Sequence, residues 1–167
     1  MNTGEIARTI GTLLAELVDG ASKDGGYILN PGDEGLLRSL EKLSAADASA
    51  RTPTGSSIAA HADHLRYGLA LMNRWSRGEN PFASADWGES WHKVVVSDRE
   101  WRQRIADLRA ETSHWLGVVR RPRDVTDVEL NGMIGSVAHL AYHLGAIRQI
   151  NRSARGPAEG TKEVSSC

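Results

Sequence analysis

The segment from Ser136 to Ile150, SVAHLAYHLGAIRQI, constrains the fold more than any other stretch. It has no proline, reads as helix, and is apolar beyond a single face, with Met133, Ile134, Val137 and Leu144 on other sides. Such a helix needs a central position in a helical assembly or a place in a dimer interface. His139 and His143 stand at i and i+4. Helical geometry puts both imidazoles on one face with Cβ atoms about 5–6 Å apart. One metal ion can bind two rings at that separation, at about 2.0–2.1 Å each. At 100° per residue the pair shares its face with Ser136, Ala146, Ile147 and Ile150, so it looks inward.

The rest of the chain repeats the helical period. Ile6, Ile10, Leu13, Leu14 and Leu17 mark a first amphipathic helix that ends near Gly20. The stretch SKDGGYILNPGDEG is a loop by composition, after which Leu36, Leu37, Leu40 and Leu43 mark a shorter helix that Asp33 can cap. Residues 44–55 are read as a connector. Ser56 or Ser57 then caps a second long helix with Ile58, Leu65, Leu69, Met72 and Trp75 as its core stripe, broadened by Tyr67 and Leu71. This helix also carries His61 and His64.

From Arg77 to Val96 runs a long aromatic connection that Pro81 and Gly88 keep from being one helix. Trp87 and Trp91 either lid a pocket or plug the end of a bundle; the second reading is preferred. His92 is expected at the surface. Ser97 with Glu100 forms a capping box that opens a third long helix, buried through Trp101, Ile105, Leu108, Thr112, Trp115 and Val119, with His114 off the stripe. Arg121-Pro122 stops it. Thr126 with Glu129 repeats the capping signal and starts the last helix, which runs to about Arg152 through Gly132 and Gly135. Interior glycines cost about 1 kcal/mol each, a cost consistent with close helix approach.

A chain of 167 residues suits one domain, placed here at residues 1–152, followed by a polar tail at 153–167 expected to be disordered. The net charge of −1 leaves no electrostatic footprint for nucleic acid or an anionic membrane. Cys167, the only cysteine, leaves no intramolecular disulfide and no cysteine-based metal site within the fold. Met1 to Gly20 lacks the basic start of a signal peptide, and no apolar run reaches transmembrane length. A reducing cytoplasm is the expected compartment.

SIAAHADHL, followed much later by HLAYHLGAIRQI, resembles the DinB/YfiT-like superfamily of metal-binding four-helix bundles over roughly residues 6–151. The resemblance implies an all-α, DinB-like four-helix bundle with a short extra helix and a long aromatic loop between the second and third long helices. It also implies a third ligand on the second long helix. Periodicity favours His61 as the residue facing the core. The resemblance favours His64, which precedes Leu65 and follows Ser57 by seven residues, and the expected metal set is His64, His139 and His143. His61 is then left as a donor that orients a ligand, a pocket acid or base, or a fourth ligand.

Three neutral imidazoles leave the ion's charge uncompensated and a coordination position open, as in catalytic zinc sites. Zinc is the leading metal, with nickel, iron and copper as alternatives. Relatives in the superfamily act as transferases or isomerases on low-molecular-weight thiols such as bacillithiol or mycothiol. The resemblance therefore implies a thiol cosubstrate, a small-molecule electrophile and no nucleic acid partner. Tyr142 is a candidate for catalysis, Gln149 and Tyr67 for cosubstrate binding, and Arg66 and Arg74 lie nearby in sequence. A homodimer is expected, and a noncatalytic metal- or ligand-binding bundle is the alternative reading.

Overall fold

The computed structural model describes residues 3–157. Among these are six α-helices: α1 (Thr3–Asp19), α2 (Gly35–Glu41), α3 (Ala45–Ser49), α4 (Ile58–Trp75), α5 (Asp98–Arg120) and α6 (Asp127–Ile150). No named strand occurs among the described residues, and the fold is all-α. The four long helices form a ring. α1 packs against α5 and α6, and α4 packs against the same two helices, while α2 and α3 close one end.

Local chemistry sets the helix starts. Ser57, Ser97 and Thr126 each accept a backbone N–H from the first turn, and the last two form full capping boxes with Glu100 and Glu129. Each cap contributes about 1 kcal/mol. α1 stops where Gly20 takes φ 104°, a conformation glycine adopts without a Cβ penalty. The buried stripes meet in one core containing Leu14, Leu17, Leu36, Ile58, Leu108 and Trp115. Trp101 and Trp115 bury their rings without orphaning the indole N–H: Trp101 donates to the Leu43 carbonyl at 2.9 Å and Trp115 to Ser136 Oγ at 2.9 Å.

Four readings are corrected. The connector at 44–55 contains α3, opened by a Ser44–Asp47 capping box. Asp33 is not the N-cap of α2; Glu34 holds that place without a side-chain bond. Asp33 instead accepts the Gly35 N–H at 2.9 Å and two bonds from Arg148 on α6, at 2.7 and 2.8 Å. The tail does not begin at residue 153, because Arg152–Ala154 forms a 3-10 turn, Ala154 is fully buried and its carbonyl accepts from Arg148 at 3.2 Å. The expectation of disorder beyond Pro157, and Cys167 with it, lies outside the described residues. Finally, Gly135 brings no helix close: a Cβ there would meet nothing within 4 Å, whereas one at Gly132 would meet Met72 Cε at 3.1 Å.

The loop between α1 and α2 hangs on a buried carboxylate. Glu16 accepts the backbone N–H groups of Tyr27, Ile28 and Leu29 at 2.9, 2.7 and 2.6 Å. Burial raises its pKa, yet the three donors prevail and hold it below the usual carboxylate value.

Candidate metal centre

α4 and α6 lie side by side, and their histidines face each other across the contact. His64, His139 and His143 have ligand atoms that all lie within 4.8 Å of one another, a group that could hold a metal ion. The Nε2 atom of His139 stands 3.1 Å from that of His64 and 3.0 Å from that of His143. Tetrahedral donors at about 2.0–2.1 Å from an ion would be about 3.3 Å apart, so the spacing is close to that of a chelate. Gly68 lies beside this cluster, where a Cβ would make ordinary van der Waals contact with His139 Cε1 at 3.6 Å and the Trp87 ring at 3.5 Å.

The hydrogen bonds of the outer nitrogens bear on where each proton sits. Ser90 Oγ donates to the Trp87 carbonyl at 2.9 Å, and in that orientation it accepts from His64 Nδ1–H at 2.9 Å. That leaves His64 Nε2 as a bare lone pair aimed at the centre. His143 Nδ1 meets His61 Nδ1 at 2.8 Å. If His143 donates there, its Nε2 is also a lone pair. A single proton on His139 Nε2 would then be divided between two acceptors, and a cation in the same place would satisfy all three nitrogens. The donor set therefore fits a divalent ion bound through neutral imidazoles.

Protonation does not resolve the crowding. Burial, followed by the neighbouring imidazoles, pushes His64 down to about 4 and His143 down to about 3, and burial lowers His61 and His139 as well. The rings are neutral near pH 7.

The aromatic loop covers this cluster. Trp91 stacks on His64 with ring centroids 4.5 Å apart, and its ring lies edge-on to His61 at 5.1 Å. Trp87 approaches His64 at 5.7 Å and is 42% exposed, so the tryptophans lid the histidines, against the preferred reading of an end plug. Short bonds hold the loop in place: Tyr67 Oη accepts the Asp86 N–H at 3.0 Å, Asp86 Oδ1 accepts those of Gly88 and Glu89, and Ser57 Oγ donates to the Val94 carbonyl at 2.7 Å.

Beside the histidines lies a cavity of about 480 Å³. Leu65, Leu69, Met72, Leu140 and Trp87 give it apolar walls, Gly132 and Gly135 open it, and His64, His139 and Ser136 supply its polar atoms.

Of the residues singled out from sequence, His61, His64, His139 and His143 come together. The others do not join them. Tyr142 is 70% exposed and meets only the edge of His143, at 5.0 Å. Gln149 is exposed and accepts from Arg155. Tyr67 pins the loop, Arg66 pairs with buried Asp63, and Arg74 pairs with Glu79. None of these five lines the cavity. His92 and His114 are exposed. Sequence reasoning missed Ser90, whose role depends on a loop path that no local spacing encodes.

No family model, no curated protein and no solved structure matches the chain.

Proposed function

We propose that this chain is a DinB/YfiT-like metal-dependent enzyme, in which His64, His139 and His143 hold a divalent ion, zinc foremost, for activation of a low-molecular-weight thiol or water. The observation that carries the reading is the convergence of the three Nε2 atoms, with His64 oriented by Ser90 and His143 by His61. A divalent ion bound there supplies positive charge that lowers the pKa of a thiol or water toward neutrality. In thiol transfer the sulfur bonds to the electrophilic carbon, the leaving group departs with its electron pair, and the thiol proton passes to solvent. The chain contributes orientation of the ligands and exclusion of water by Trp87 and Trp91.

The expected partners are a small molecule and a second copy of the chain, with no nucleic acid. Support for the homodimer comes from the outer side of α6, where Val128, Ile134 and Tyr142 are all more than half exposed. None of the described helices is long and apolar enough to cross a membrane, which is compatible with the cytoplasmic reading.

Elemental analysis of wild type beside His143→Ala tests the centre. A stoichiometric ion in wild type, lost in the variant and on chelation, is the expected result. Metal-free wild type whose melt does not change on reloading with zinc or nickel would overturn it.

A further inference from the structure

The cavity beside the histidines has no lysine, arginine, aspartate or glutamate in its lining. Its one hydroxyl, Ser136 Oγ, already accepts from Trp115 and donates to the Met133 carbonyl at 2.7 Å. The remaining polar atoms belong to His64 and His139, at the end where the Nε2 atoms converge. With no ion on the histidines, a charged ligand would give up hydration here without gaining an ionic partner, a cost of several kcal/mol. An apolar ligand loses nothing of that kind and gains about 25 cal/mol for each Å² buried.

The hollow is built into the backbone. Gly135 sits at its mouth with open space where a Cβ would be, and Gly132 faces Met72 Cε. Glycine within a helix costs about 1 kcal/mol relative to alanine, so an empty side-chain place on α6 opposite an apolar wall is a departure from what helix stability alone favours. At about 480 Å³ the space is of the size that takes one small organic molecule.

We propose that this cavity selects an uncharged, largely apolar small molecule of one or two rings or a short alkyl chain, seated against Leu65, Leu69, Met72 and Trp87 with its reactive end toward His64 and His139. Gly135 sets the size limit. The proposal rests on the reading of the three histidines as the metal centre, because that centre makes one end of the cavity reactive. It assigns the apolar reactant to this space and leaves any anionic thiol to approach from outside it.

Binding of the neutral dye N-phenyl-1-naphthylamine, measured by its fluorescence with chelated and with zinc-loaded full-length protein, tests this. The dye should brighten with wild type in both states and be displaced by decanol. With the chelated protein, the anionic dye 8-anilinonaphthalene-1-sulfonate should bind at least about tenfold more weakly, equivalent to about 1.4 kcal/mol. Gly135→Leu should abolish the signal, and Gly135→Ala should weaken it, with thermal melts at or above wild type and zinc retained. A dark dye with wild type, an equal response of the chelated protein to both dyes, or an undiminished signal in folded Gly135→Leu would each overturn the proposal. Dye binding in a protein that holds no zinc would uphold the cavity's preference while removing the metal reading, so the two fail separately.

Discussion

His61 and His143 meet through their Nδ1 atoms, 2.8 Å apart in a buried setting between α4 and α6. The contact makes His61 a positioning residue, since it fixes the ring of His143 and the direction of its Nε2 atom.

Replacing His61 should therefore weaken metal binding without abolishing it. Loss of a partner that orients a ligand costs about 10–100-fold in affinity. Competition with a chromophoric chelator should place His61→Ala between wild type and His143→Ala. An affinity equal to wild type would remove the positioning role, and an affinity as low as that of His143→Ala would make His61 a ligand.

Ser90→Ala should act on the same centre from the loop. His64 Nδ1–H loses its acceptor, and the ring on which Trp91 stacks loses its anchor. Zinc affinity should fall and tryptophan emission should shift red as the lid loosens. Unchanged emission together with unchanged affinity would show the hydroxyl to be dispensable.

Glu16 links stability to pH. Its folded pKa lies below the ordinary 4.5, so the unfolded chain binds the proton more readily. The stabilisation is complete above about pH 4.5 and is lost as pH falls through the lowered folded value. Urea midpoints of wild type should drop with acid over that window more steeply than those of Glu16→Gln. At pH 7 the variant should be less stable by about 1–3 kcal/mol, the cost of compromising buried backbone donors.

Arg148→Met leaves Asp33 buried without its cation. Asp33 is 3% exposed and takes two guanidinium bonds. Breaking one side of such a pair costs about 3–5 kcal/mol, and the double replacement Asp33→Asn with Arg148→Met should recover part of it. Equal denaturation midpoints for the single and double variants would show that no buried charge had been stranded.

What the sequence made legible follows the range of the interactions. Ser97 with Glu100 and Thr126 with Glu129 are contacts within one turn, so their spacing alone located two helix starts. The stripe from Trp101 to Val119 is likewise set by period, and all of its named residues are buried. His139 and His143 share a face because they share a helix. Asp33 and Arg148 are 115 residues apart, and Ser90 reaches His64 across a loop, so neither pairing has a local signature. Tyr142 and Gln149 misled for a related reason: a helical wheel gives direction around α6, but α6 packs mainly on α1 and α4, so these residues flanking the histidine face open to the outside. The α3 helix had a local Ser44–Asp47 signal, yet five residues carry too short a stripe to register as periodic.

The histidine contact between α4 and α6 joins segments 75 residues apart in sequence. A link between such distant segments carries a large loop-closure cost, which favours its forming after the helices themselves. Its strength should then be expressed in the unfolding rate, with the folding rate nearly unaltered. An ion seated there would act as a kinetic latch, lengthening the life of the native state more than it hastens its formation.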